Sequence, residues 1–90
     1  MTISRSEFLL RMQLDEVTLE VWMMEEWIRP HCSESDFFFT EADLARAQLI
    51  LDLQDDLGVN REGIGIILNL LDQLHGLRNA LAGKVHSAET

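Results

Sequence analysis

The sequence predicts a mainly α-helical fold, in which two short helices, a small two-stranded β wing and two longer C-terminal helices follow one another. Apolar residues recur at helical spacing in four stretches, a lone proline follows the second stretch, and a short aromatic run follows the proline. A chain of 90 residues has room for one domain. We expect a single helical domain over residues 1–83 and a flexible tail over 84–90.

The first two helices are short and are separated by a tight break at Gln13. Ser4 or Ser6 can cap the first helix. The second helix begins at Asp15 with an acidic first turn, and it ends before Pro30 because the residue before a proline is pushed out of the α region.

The second helix has a predicted apolar side that begins with Val17, Val21 and Met24, which are spaced by four and three residues. Leu19 and Trp22 widen that side. We therefore expect these five residues to face the core.

The segment after the second helix predicts the β wing. Residues 27–29 look extended, the residues that follow are polar and turn-like, and residues 37–39 are three consecutive phenylalanines that favour a strand. Side chains alternate along a strand, so Phe38 faces away from its two neighbours and at least one ring is exposed or lies at an interface.

The last two helices carry wide apolar stripes. A capping box at Thr40 opens the third helix, which runs to about Asp56. Gly58 stops this helix, and the fourth covers about residues 61–82, with Gly83 at its end. Leucines in the C-terminal part of the fourth helix extend past what a small core needs, so we expect a homodimer. The predicted dimer seam consists of Ile67, Leu71, Leu74, Leu77 and Leu81.

The charge balance excludes several kinds of partner. Seven Lys and Arg residues stand against 16 Asp and Glu residues, which gives a formal net charge of −9 at pH 7. Nucleic-acid affinity depends mainly on cationic side chains that neutralise phosphates, and anionic membranes repel an acidic chain for the same reason. A basic protein surface is the natural electrostatic complement.

The residue types that carry chemistry are too scattered to predict an enzyme. His31 and Cys32 are adjacent, and the other two histidines are far away, so their spacing fits no zinc site. Asp72 and His75 can pair on a helix surface, which explains them without catalysis. We expect no enzyme activity, no cofactor and no metal. A single cysteine and the lack of a long apolar run indicate a cytoplasmic protein.

The order of these elements resembles the MerR-like winged helix-turn-helix. Within that group the chain is similar to the chaperone modulators called CbpM, from about Phe8 to Leu81. The similarity is strongest where Asp-Leu-Gly-Val-Asn at 56–60 is followed by Gly63 and by Ile-Leu-Asn-Leu-Leu-Asp at 67–72. Trp27 followed by Pro30 also resembles the family's exit from its second helix.

The second helix departs from DNA-binding MerR proteins, which carry arginines there and in the wing. Here the helix carries glutamates, and residues 1–40 hold three arginines against eight acidic residues, a net charge of −5. Base readout needs Arg, Lys, Asn or Gln donors, and none lies between Asp15 and Trp27.

The resemblance implies a protein that binds the basic J-domain of a DnaJ/CbpA-type co-chaperone and limits its action on a DnaK-type chaperone. A MerR-like DNA-binding transcriptional regulator is the alternative, and an adaptor for another basic protein is a third possibility. The same acidic residues are also explained as ordinary solvated surface. The candidate partner-binding residues are Glu16, Glu20, Glu25, Asp52, Asp55 and Asp56.

Overall fold

The computed structural model describes residues 2–34 and 36–89, and side chains up to residue 82 within those ranges. The predicted mainly α-helical class with a small wing is confirmed. In chain order the elements are β1 (Ile3–Ser4), α1 (Arg5–Met12), α2 (Glu16–Met24), β2 (His31–Ser33), β3 (Asp36–Phe39), α3 (Glu41–Leu51), a π-helical turn (Asp52–Asp56) and α4 (Arg61–Glu89).

Side chains cap the helices where the sequence predicted starts. The Ser4 hydroxyl accepts a hydrogen bond from the Glu7 amide at 3.2 Å, and the Asp15 carboxylate accepts one from the Thr18 amide at 2.8 Å. Thr40 forms a capping box with Asp43 at the start of α3. These contacts satisfy amides that have no partner inside their own helix, which fixes where each helix begins.

The wing contains three strands rather than two. β3 lies in the centre of an antiparallel sheet, between β2 and the N-terminal strand β1, so that the order is β1-β3-β2. Ile3 pairs with Phe39, and His31 pairs with Phe38. A strand of only two residues has too short a pattern to be read from sequence.

The prediction of an extended strand at residues 27–29 is wrong. Glu26 has a φ of 62°, which turns the chain sharply after α2, and the Trp27 amide donates to the Trp22 carbonyl at 2.9 Å. The turn directs Trp27 and Ile28 into the core, where they are buried, and β2 begins only at His31.

The core lies between the sheet and the helices. The Phe8 ring of α1 stacks on the Phe39 ring of β3 with centroids 4.3 Å apart. Phe38 points to the other side of the sheet and stacks on His31 at 5.2 Å. Phe37 is on the same side as Phe39 by strand alternation, but it lies nearer the turn between β2 and β3 and is exposed. The buried apolar residues are Ile3, Phe8, Leu19, Trp22, Trp27, Ile28, Phe39, Ala47, Ile50, Leu53, Ile64 and Leu68.

The third helix is not regular as far as Asp56. Its α-helical part ends at Leu51, and the π turn continues to Asp56, with the Leu57 amide bonded to the Asp52 carbonyl at 3.1 Å. Gly58 then adopts a φ of 64° and ends the helical segment as predicted.

The helical backbone of α4 begins at Arg61 and continues past Gly83, where we predicted its end. Glycine inside a helix costs about 1 kcal/mol relative to alanine, which a long helix tolerates. The division into a domain at 1–83 and a flexible tail at 84–90 stays a prediction.

Candidate functional site

The predicted partner-binding glutamates lie on α2 and are held by arginines of neighbouring elements. Arg5, at the start of α1, lies 4.0 Å from Glu16 and 3.7 Å from Glu20. Arg61, at the start of α4, lies 2.6 Å from Glu25. The three carboxylates remain at the surface, and their arginine partners restrict where they point.

The outward face of α2 is not purely acidic. Val17 is 69% exposed and Met24 is 82% exposed, whereas Leu19 and Trp22 are buried on the opposite side. The prediction that five apolar residues of α2 form one side facing the core is therefore wrong for Val17 and Met24, and Val21 is half-buried. The signal was in the sequence, because Leu19 and Trp22 lie on one side of a helix and Val17 and Met24 on the other.

The predicted aspartates form a separate group on the π turn. Asp52, Asp55 and Asp56 border a crevice of about 380 Å³ that also contains Arg11 of α1. The Asp52 carboxylate accepts a hydrogen bond from the Gln48 side chain at 2.9 Å. Gln54, from the same turn, borders the crevice beside α2 instead. The six candidate residues thus belong to two neighbouring surfaces rather than one.

Arg46 of α3 joins three parts of the fold. Its Nε donates to the Trp27 carbonyl at the exit of α2, and its two terminal nitrogens donate to the Asp72 carboxylate of α4 at 2.7 and 3.2 Å. These hydrogen bonds from the guanidinium hold the pKa of Asp72 below its usual value, although partial burial acts in the opposite direction. Asp72 therefore pairs with Arg46 of α3, in addition to any interaction with its neighbour His75 on α4.

The predicted dimer seam divides into two parts along α4. Ile67 and Leu71 pack against the core, whereas Leu74, Leu77 and Leu81 are 45%, 62% and 61% exposed. A crevice of about 670 Å³ between the wing, α3 and α4 is bordered by Leu71. The seam residues beyond Leu71 therefore have no complete apolar environment within the described part of this chain.

Residues 2–34 and 36–82 provide no group of three or more His, Cys, Asp or Glu side chains that could hold a metal ion. His31 lies 3.6 Å from Asp43, whose carboxylate is already engaged in the capping box of α3. Among the described helices, none combines the length and apolar character that a membrane crossing needs.

The α1–α2 pair, the wing beside it and the two following helices define a winged helix-turn-helix domain whose outward helix is acidic and partly apolar. A family model described as MerR HTH family regulatory protein matches residues 3–83. The chain belongs to this family. Comparisons with curated proteins and with solved structures gave no match.

Proposed function

We propose that this MerR-family domain is not an enzyme but a protein-binding modulator, which binds the basic J-domain of a DnaJ/CbpA-type co-chaperone and limits its action on a DnaK-type chaperone. The observation that carries the proposal is the outward face of α2. This face presents Glu16, Glu20 and Glu25 beside exposed Val17 and Met24, and it has no lysine or arginine.

Charge favours a basic protein as the partner. The chain has a net charge of −9, so its field attracts a cationic surface and increases the rate of encounter with it. Exposed valine and methionine add apolar contact that a phosphate backbone cannot use but that a protein helix can.

The junction between the π turn and α4 supports the resemblance to the chaperone modulators. Gly58 adopts a left-handed φ of 64°, which glycine accepts without strain. A Cβ atom on Gly63 would lie 2.7 Å from the Val59 side chain and 3.1 Å from the Asn60 side chain. Both glycines of the Leu-Gly-Val-Asn…Gly motif therefore occupy positions that favour glycine.

A functional assay tests the proposal. The ATPase rate of a DnaK-type chaperone is measured with its CbpA-type co-chaperone, while the present protein is added in increasing amounts. We expect the stimulated rate to fall toward the basal rate and to recover when more co-chaperone is added. Stimulation that is unaffected by an excess of the protein would contradict the proposal.

A DNA-binding transcriptional regulator is the second candidate, and the family match favours it. The α2 face argues against it, because the helix itself carries glutamates, and Arg5 and Arg61 beside it are paired with Glu16, Glu20 and Glu25. A gel-shift assay on a library of random duplexes distinguishes the two: selective retention of one sequence would favour the regulator.

A further inference from the structure

The two sides of α2 have different apolar residues, and only one side is covered. Successive residues of an α-helix rotate by about 100°, so Val17 and Met24, seven residues apart, point in nearly the same direction. Val21 lies next to them, toward α4. Leu19 and Trp22 occupy the opposite side and are 0% and 2% exposed, whereas Val17 and Met24 are 69% and 82% exposed.

Acidic side chains border this apolar strip on both edges. Helical rotation places Glu16 and Glu20 on one edge and Glu25 on the other. Arg5 lies 4.0 Å from Glu16 and 3.7 Å from Glu20 on one edge, and Arg61 lies 2.6 Å from Glu25 on the other. The strip with its acidic borders is called the α2 strip below, and it consists of Glu16, Val17, Glu20, Val21, Met24 and Glu25.

A crevice continues the α2 strip on the side of Val21. It has a volume of about 290 Å³ and lies between α2 and the first turn of α4. Trp22 and Ile64 at its base are buried, and Val59 is half-buried at its rim. An apolar side chain that enters it from outside meets an apolar base, which is the setting in which anchor residues concentrate binding energy.

We propose that the α2 strip docks one amphipathic helix of a partner protein, whose apolar residues lie along Val17, Val21 and Met24 and whose lysines or arginines lie against the bordering glutamates. The inference rests on the proposed function, since it names the surface at which the J-domain is bound. Helices recognised in this way present apolar residues at helical spacing, flanked by charge.

Charge complementarity selects this occupant over a second copy of the chain. Two α2 strips facing each other would bring six glutamates and the four arginines paired with them together, so each strip would meet a surface of its own net negative sign. A basic helix instead meets carboxylates whose positions are already restricted by Arg5 and Arg61. Pre-positioned side chains lose less conformational entropy on binding.

The test uses the full chain with Val17→Ala and Met24→Ala, which keep good helix propensity and remove exposed apolar surface only. Leu10→Ala is the matched control, because Leu10 is 78% exposed but lies on α1. Binding of the isolated J-domain of a CbpA-type co-chaperone is measured by calorimetry. We expect Val17→Ala with Met24→Ala to weaken binding roughly tenfold or more and Leu10→Ala to leave it unchanged.

A second probe separates this inference from the proposed function. It is a synthetic amphipathic helix with leucine on one face and lysine on the other, compared with a peptide of the same composition whose leucines share no face. If the J-domain binds and the paired substitution has no more effect than Leu10→Ala, the α2 strip is not the docking site, although the proposed function stands.

If the J-domain does not bind the unchanged protein, the proposed function fails and the peptides decide the inference. The unchanged protein should then bind the amphipathic peptide more tightly than the scrambled one, and Val17→Ala with Met24→Ala should abolish that difference. This result would support the α2 strip as a docking site for a basic helix of another protein. Equal affinity for both peptides, or binding that the substitutions do not change, would overturn the inference.

Discussion

Arg46 of α3 makes hydrogen bonds both to the exit of α2 and to α4. One guanidinium serves both the Trp27 carbonyl and the Asp72 carboxylate, which lie 19 and 26 positions away in the sequence. Its side chain is 24% exposed, so water replaces these contacts poorly. One side chain of α3 thus contacts both the exit of α2 and α4.

Substitution of Arg46 by alanine is expected to destabilise the fold. Hydrogen bonds to charged groups stabilise a fold more than neutral ones do, and leaving a carbonyl without its donor costs about 1–3 kcal/mol. We therefore expect the free energy of unfolding to fall by about that amount. Urea denaturation followed by tryptophan fluorescence measures it. Arg78→Ala, at an exposed position on α4, is the control and should change stability by less than about 0.5 kcal/mol. Equal effects of the two substitutions would contradict the role of Arg46.

Residue roles could be predicted from the sequence where their partners are close along the chain. The caps by Ser4, Asp15 and Thr40 each involve a residue three positions away, so local patterns indicated them. Arg46 was not singled out, because nothing local identifies a partner 26 residues away.

At the scale of elements, the helices were predicted and the wing was only partly predicted. Periodicity over eight or more residues identifies α1 to α4, and Gly58 marks the end of the π turn. The position of β2 depends on the left-handed turn at Glu26, a conformation that a non-glycine residue adopts only in its tertiary context. Helical rotation alone separates Leu19 and Trp22 from Val17 and Met24, but which of the two sides is buried depends on the positions of the other elements.

Two glycines of similar surroundings are expected to respond oppositely to alanine. Neither Gly58 nor Gly76 has an atom within 4 Å of an added Cβ, but Gly58 has a φ of 64° and Gly76 lies inside α4. Gly58→Ala should lower the free energy of unfolding by about 1–2 kcal/mol through left-handed strain. Gly76→Ala should raise it by about 0.5–1 kcal/mol, since alanine is the better helix former. Thermal unfolding by circular dichroism measures both, and changes of the same sign would contradict the assigned backbone.

At the scale of the whole molecule, α4 exposes apolar side chains that its own fold does not cover. Leu70, Leu77 and Leu81 are each about 60% exposed on described turns of the helix, and Leu74 is 45% exposed. We propose that a second copy of the chain covers them, because helices with apolar residues at heptad spacing bury them by pairing.

The proposed dimer predicts a specific effect of charge on α4. Leu77→Glu should shift the protein from dimer to monomer in sedimentation velocity experiments, since a carboxylate in an apolar helix pair is desolvated without a partner. Leu10→Glu, at a similarly exposed leucine on α1, should leave the sedimentation coefficient unchanged. A monomer for the unchanged protein at all accessible concentrations would contradict the dimer.

The charge of the whole chain and the α2 face lead to the same expectation about its partner. The most direct measurement is calorimetric titration of this protein with the J-domain of its CbpA-type co-chaperone, at low and at high salt. The account predicts binding with a dissociation constant in the micromolar range or below, weakened by salt because the −9 chain meets a basic surface. The absence of binding at both salt concentrations would contradict it.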